Sequence, residues 1–274
     1  MSARHLSTSS SKQGSVDVSF IRSLTYVNSV ELSLLSDEDK EYLRERFHQE
    51  LDAEVRLLVF YKSEDCRYCK ETVEIAKEVA SLSEKIRLEA YEFDKERSMA
   101  EELNVRLVPA TLIVRNNNYR IRWYGMPSGH EFATYVEDLV SISSNKPRIS
   151  EMSLREIEKV DRDLYIRVFV TPTCPYCPRM SLMAHQASLA NDKISADIIE
   201  AIEFPELASR YKVMGVPKTV INEMYRVVGL LPENLFTELL LYASGRIDKP
   251  SERLRKVLTE AQLEEEVHEH GHDQ

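Results

Sequence analysis

Little in this chain of 274 residues is spare: it has four cysteines, one tryptophan and seven glycines. All four cysteines fall into two Cys-x-x-Cys motifs. None remains for a structural bridge, which excludes a small disulfide-stapled scaffold. No apolar run approaches the roughly 18 residues that a membrane span requires. The first ten residues, with four serines among them, lack the apolar h-region of a secretory signal. Basic residues are outnumbered, 36 Lys and Arg against 46 Asp and Glu, for a net charge of −10. That balance argues against a nucleic-acid backbone or an anionic membrane as a main partner. These absences predict a cytoplasmic protein whose thiols perform chemistry. A charged fraction of 30% and the scarcity of Gly and Gln fit a thermophilic source.

What is present is a duplication. Cys66-Arg67-Tyr68-Cys69 and Cys174-Pro175-Tyr176-Cys177 lie 108 residues apart, as do Pro109 and Pro217. These prolines stand in Val108-Pro109-Ala110-Thr111 and Val216-Pro217-Lys218-Thr219, each 43 residues after the first cysteine of its unit. Glu89 to Phe93 is echoed by Glu200 to Phe204 at a slightly different offset, which places compensating insertions in loops.

The local patterns repeat in the same order. Ser36, with Asp39 three residues on, predicts a capped helix whose apolar face is Leu43, Phe47 and Leu51. Val55 to Tyr61 reads as a buried strand, followed by Cys66 and a helix, then a strand over Ile86 to Phe93. A short helix leads to Pro109. Two strands follow around Asn116-Asn117-Asn118, then a helix capped by Ser128. After a polar linker at 143–150, the order β-α-β-α-β-β-α recurs. The expectation is an α/β chain of two tandem units, each a mixed sheet packed between helices. Its parts are a disordered extension at 1–33, unit 1 at 34–145, unit 2 at 151–247 and a charged tail at 248–274.

Strand, loop, Cys-x-x-Cys and helix place the first cysteine at a helix N-terminus. There, unpaired N–H groups and the helix dipole favour a thiolate. Cys66 or Cys174 would attack a disulfide to form a mixed disulfide, which Cys69 or Cys177 would then resolve. A cis bond at Val108-Pro109 or Val216-Pro217 would turn the preceding valine toward the sulfurs and let it pair with an extended substrate.

On these motifs the chain resembles the archaeal protein disulfide oxidoreductases, glutaredoxin-like proteins with two thioredoxin-fold units. The stretch Val170 to Pro178, the segment Gly129-His130-Glu131-Phe132 and the segment Val213 to Pro217 carry the likeness, which covers about residues 34–245. The resemblance implies that the two units are tandem thioredoxin-like folds whose mixed sheets are joined into one continuous sheet. It implies reduction, formation or isomerisation of protein disulfides without a cofactor beyond the cysteine pairs. It implies protein disulfide or dithiol substrates and a thioredoxin-reductase-like electron donor. It also implies redox pairs at Cys66/Cys69 and Cys174/Cys177, and cis-prolines at Pro109 and Pro217.

The two sites differ in their neighbours. Glu64 and Asp65 precede Cys66, opposed by Arg67, whereas Thr173, Pro175 and Tyr176 around Cys174 are neutral. This predicts Cys174/Cys177 to be the more oxidising pair and raises the idea of a relay or a division of labour. Pro175 is expected in the first helical turn, and Tyr68 and Tyr176 over the helix starts. Phe60 and Val168 stand where a buried carboxylate is expected before each motif, so Glu92 and Glu203 are the substitute proton acceptors. A zinc ribbon is excluded because its two pairs lie roughly 15–20 residues apart, so no metal is expected, in the histidine-bearing tail included. The competing class is a redox-silent, chaperone-like or peptide-binding scaffold.

Overall fold

The computed structural model describes residues 33–259. The reading of residues 1–32 as disordered and that of the histidine-bearing end of the tail fall outside the described residues.

Ser36 closes a capping box on helix α1 (Asp37–Glu50): its hydroxyl accepts the Asp39 N–H at 3.1 Å, and its own N–H reaches Asp39 at 3.3 Å. Strand β1 (Val55–Tyr61), helix α2 (Cys69–Ala80), strand β2 (Ile86–Glu92) and helix α3 (Arg97–Glu102) follow. Strands β3 (Ala110–Val114) and β4 (Ile121–Tyr124) and helix α4 (Glu131–Ser144) complete the first unit. The second comprises α5 (Glu151–Ile157), β5 (Leu164–Val170), α6 (Cys177–Ala190), β6 (Ile194–Glu200), α7 (Pro205–Arg210), β7 (Lys218–Ile221), β8 (Tyr225–Val228) and α8 (Glu233–Ala243). A last helical stretch, 252–259, seats the buried Leu254. The two hairpin turns use left-handed residues, Asn116 and Asn117 in one and Asn222 and Glu223 in the other.

All eight strands form one mixed sheet, ordered β2-β1-β3-β4-β6-β5-β7-β8. The units join where β4 pairs in parallel with β6, Ile121 opposite Ala196 through Tyr124 opposite Ile199. A buried ion pair marks that register: Arg122 Nε donates to its cross-strand partner Asp197 at 2.6 Å, and the Tyr165 hydroxyl donates to the other carboxylate oxygen.

Alternation sorts each strand between two cores. Val55, Leu57 and Val59 face a large core with α1, α2, α4, α6 and α8, while Leu58 and Phe60 face a smaller one with α3 and α7. The pairings make β1, β4, β6 and β5 run in the same direction. Both Cys-x-x-Cys motifs therefore leave the same edge of the sheet, with their helices on the same face. Three strands separate β1 from β5, which puts the two sites roughly 19 Å apart at about 4.8 Å per strand.

Candidate active site

The two cysteine motifs occupy equivalent turns. In each, the second cysteine is the first helical residue and the tyrosine before it is the N-cap: Tyr68 for α2, Tyr176 for α6. Cys66 and Cys174 thus lie just ahead of the helix rather than on it, facing its free N–H groups. Pro175 also precedes the N-cap. The proline that starts the helix is Pro178, whose missing N–H costs nothing there.

In the second unit the Cys177 N–H points at Cys174 Sγ at 3.2 Å, and that sulfur lies 3.6 Å from the Val216 carbonyl oxygen. Cys174 retains 9% exposure and Cys177 none. Burial pushes the Cys177 thiol well up, with the Cys174 sulfur and the charge of Glu131 adding to it. In the first unit Cys66 and Cys69 are disulfide-bonded, and the Lys62 N–H reaches Cys69 Sγ at 3.2 Å. Asp65, in a left-handed conformation, and Arg67 are exposed, and the Arg67 guanidinium lies over the Tyr68 ring at 5.1 Å. Tyr176 stands 61% exposed beside Cys174, and Met214 is exposed on the loop before Val216. The Val108-Pro109 and Val216-Pro217 bonds are both cis.

The carboxylate beneath the second site comes from the first unit. Glu131 opens α4, which packs against α6, and it is only 2% exposed. Its Oε2 accepts the Ser181 hydroxyl at 2.9 Å, and Oε1 has no partner among the described residues. Burial, with Asp138 adding, pushes its carboxyl up to about 7 against the pull of Ser181. Sequence reasoning finds no such acid on the strand before Cys174, where Val168 stands, turns to Glu203 on the following strand of the same unit, and so misses Glu131 in the other. The one signal for it in the sequence is its place in the segment Gly129-His130-Glu131-Phe132. The turn that delivers it depends on Gly129, not on a Ser128 side-chain cap: Gly129 is left-handed (φ +57), and the His130 N–H bonds Pro172 O at 2.9 Å. His130 is the N-cap of α4, and Ser128 contributes only its carbonyl, to the Glu131 N–H at 3.2 Å.

Glu203 makes the reciprocal crossing. Its Oε1 accepts the Met126 N–H of the first unit at 2.8 Å, in space that a side chain at Gly125 would fill. Burial, with Glu200 and Glu71 adding and Arg67 opposing, pushes Glu203 up to about 7. It therefore faces the Cys66 side rather than the site of its own unit. Glu92 serves its own turn, accepting the Lys95 N–H at 3.2 Å. Among the described residues no group of three or more His, Cys, Asp or Glu is placed to hold a metal.

Residues 39–138 match the Thioredoxin family model, and residues 164–241 match a second thioredoxin-domain model. The chain is built of two tandem thioredoxin domains. Among solved structures it is similar to a protein disulfide oxidoreductase from Aeropyrum pernix K1: TM-score 0.71, 26% identity, 77% of this chain and 94% of that one. It is also similar to the N-terminal domain of the alkylhydroperoxide reductase AhpF from Enterococcus faecalis V583: TM-score 0.69, 25% identity, 75% and 99% coverage. A curated relative, the F component of the alkyl hydroperoxide reductase of Escherichia coli K12, is 28% identical over 160 residues, 58% of this chain and 29% of that protein. An NADH dehydrogenase of Bacillus subtilis strain 168 is 23% identical over 153 residues, 56% and 28% of the two chains. The chain thus spans under a third of the length of these curated relatives. Both thioredoxin domains carry a cysteine pair, and the structures they are similar to include a protein disulfide oxidoreductase.

Proposed function

We propose that the chain is a protein thiol–disulfide oxidoreductase acting through Cys174/Cys177 and Cys66/Cys69, with each domain lending a carboxyl to the site of the other. The observation that carries the reading is the arrangement at Cys174: a sulfur with access to solvent, an N–H at 3.2 Å, and a buried partner thiol beside a buried acid. The Cys174 thiolate attacks a substrate disulfide, forming a mixed disulfide and expelling one substrate thiolate. Cys177 gives its proton to Glu131 and attacks Cys174 Sγ. The second substrate thiolate leaves, and the Cys174–Cys177 disulfide remains. Two electrons pass to the substrate. A donor dithiol returns them by the reverse steps, and Glu131 then gives its proton back to Cys177.

Val216 and Pro217, with Val108 and Pro109 opposite the first pair, position an extended substrate. The closeness of the Val216 carbonyl to Cys174 Sγ supports this for the second site. Exposed Tyr176 and Met214 supply apolar contact. Cys66/Cys69 uses Glu203 in the role of Glu131, with Asp65, Arg67 and Tyr68 shaping its mouth. The domains are taken as 34–145 and 151–247, and the setting as a reducing, cytoplasmic one. Protein disulfides are the substrates and a thioredoxin-reductase-like protein the electron donor, in keeping with the alkyl hydroperoxide reductase relatives. No resident cofactor is invoked. At roughly 19 Å the two sites cannot exchange disulfides directly on this sheet, so a division of labour is preferred to a contact relay.

Insulin reduction driven by dithiothreitol tests the proposal. Acceleration by the wild type, its loss in a variant lacking both Cys66 and Cys174, and a trapped mixed disulfide in Cys177→Ser are expected. No acceleration would leave the scaffold reading.

A further inference from the structure

A polar seam runs through the large core where α4 meets α6. α6 carries Cys177, Ser181 and His185 at i, i+4 and i+8, which stacks them on one face. α4 answers with Glu131 and, two turns on, Asp138. Asp138 Oδ2 holds His185 Nδ1 at 2.6 Å and accepts the Trp123 indole N–H at 3.0 Å. Asp138 and His185 are 1% and 0% exposed. Asp138 Oδ1 and His185 Nε2 have no hydrogen-bond partner among the described residues.

Fold stability alone does not explain this pair. Two ionisable groups in a dry core are costly even when paired, and apolar residues of similar volume often serve as well. Two unspent polar atoms add to that cost. Position accounts for the pair better. It lies directly behind Glu131, and the charge of Asp138 is felt there, as the charge of Glu131 is felt at Cys177.

The titratable groups that face this seam are few. From α6 they are Cys177 and His185; on α4 itself they are Glu131, Tyr135 and Glu137. β4 contributes no titratable group there, only the Trp123 indole N–H. Glu137 turns away to Arg46 of α1 and to Arg148.

Resting on the exchange proposed at Cys174/Cys177, we infer that the Asp138–His185 pair is a positioning device for the proton transfer. Burial raises the Asp138 carboxyl, and its hydrogen bonds to His185 and Trp123 pull it back down. The pair so sets the charge that stands behind Glu131 and thereby how readily Glu131 takes the Cys177 proton. The pair touches neither sulfur and acts only through Glu131. It belongs to the interface between the domains, one residue from each, so the docking of the two domains tunes the second site.

The test uses the full chain with Cys66→Ser and Cys69→Ser, leaving one redox pair. Mixing with 5,5′-dithiobis(2-nitrobenzoate) releases thionitrobenzoate in two steps, attack by Cys174 and closure by Cys177. The closure rate is followed against pH. Asp138→Asn keeps the shape of the pair without the carboxylate, and it should lower the pH midpoint of closure by about one unit. In a Glu131→Gln background the same substitution should move nothing. Should Asp138→Asn fold poorly, Asp138→Asn with His185→Gln, a neutral amide pair, carries the same expectation. An unchanged midpoint with normal closure overturns the role of the pair while leaving the exchange proposal standing. An equal shift in the Glu131→Gln background also overturns it. Absence of any Cys174 reaction overturns both proposals.

Discussion

The Glu131 carboxylate of the first domain accepts a hydrogen bond from the Ser181 hydroxyl of the second at 2.9 Å, one turn below Cys177. The acid proposed to serve Cys177 thus lies across a domain boundary. The proton chemistry of the second site and the docking of the two domains are one structural problem.

Replacing Glu131 with Gln should slow closure of the Cys174–Cys177 disulfide by about 10²-fold, the low end for a lost general base. As a base, Glu131 acts when ionised, so the wild-type rate rises through pH 7, where its carboxyl titrates. The variant should lose that rise. Stopped-flow closure rates between pH 5 and 9 check this.

The same substitution has a stability signature. The folded pKa of Glu131 is raised from 4.5 to about 7, so the native state binds the proton more tightly than the unfolded chain. Stability from this group is full below the unfolded value and is lost as pH rises through the folded one. The shift corresponds to about 3 kcal/mol. Glu131→Gln does not titrate, so its stability relative to wild type should improve by about that amount between pH 4.5 and 8. Urea unfolding at the two pH values measures it.

Glu203→Gln should act on the opposite site. Burial raises its carboxyl to about 7, and Arg67 and Glu71 of the first domain are among the charges it feels. In a chain lacking Cys174 and Cys177, the pH dependence of Cys66/Cys69 exchange near 7 should flatten. In a chain lacking Cys66 and Cys69 it should not change. A change confined to the second site would refute the crossing.

Gly129→Ala should loosen the junction. A Cβ there would stand 2.4 Å from the Pro172 carbonyl oxygen, in a left-handed backbone that only glycine adopts freely. The loop must shift, at a cost of about 1–3 kcal/mol. Pro172 precedes Cys174 by two residues, so exchange at the second site should slow while the first is spared. Thermal unfolding and single-site rates report the two effects.

Arg122→Met leaves Asp197 charged in a nearly dry interior. A broken buried pair of this kind costs about 3–5 kcal/mol. The double variant with Asp197→Leu should recover much of it, as chemical denaturation of both proteins will show.

The sequence by itself determined the duplication, the two cysteine pairs and the element order, because these are written locally. Alternation marks β1 and β5, Ser36 and Asp39 mark a helix start, and the matched distance from cysteine to proline marks two copies of one unit. It also determined that no cysteine is left for structure. Tertiary structure alone decided where the acids lie. Glu131 is an ordinary first-turn glutamate until α4 packs on α6, and burial then raises its proton affinity. Glu203 reads as an acid of its own unit until the β4–β6 pairing brings its turn against Gly125 and Met126. The Asp138–His185 contact joins residues 47 positions apart in different domains, and no local pattern reports it. Proton affinity depends on water excluded and charges met, and both are set only when the two domains close on each other.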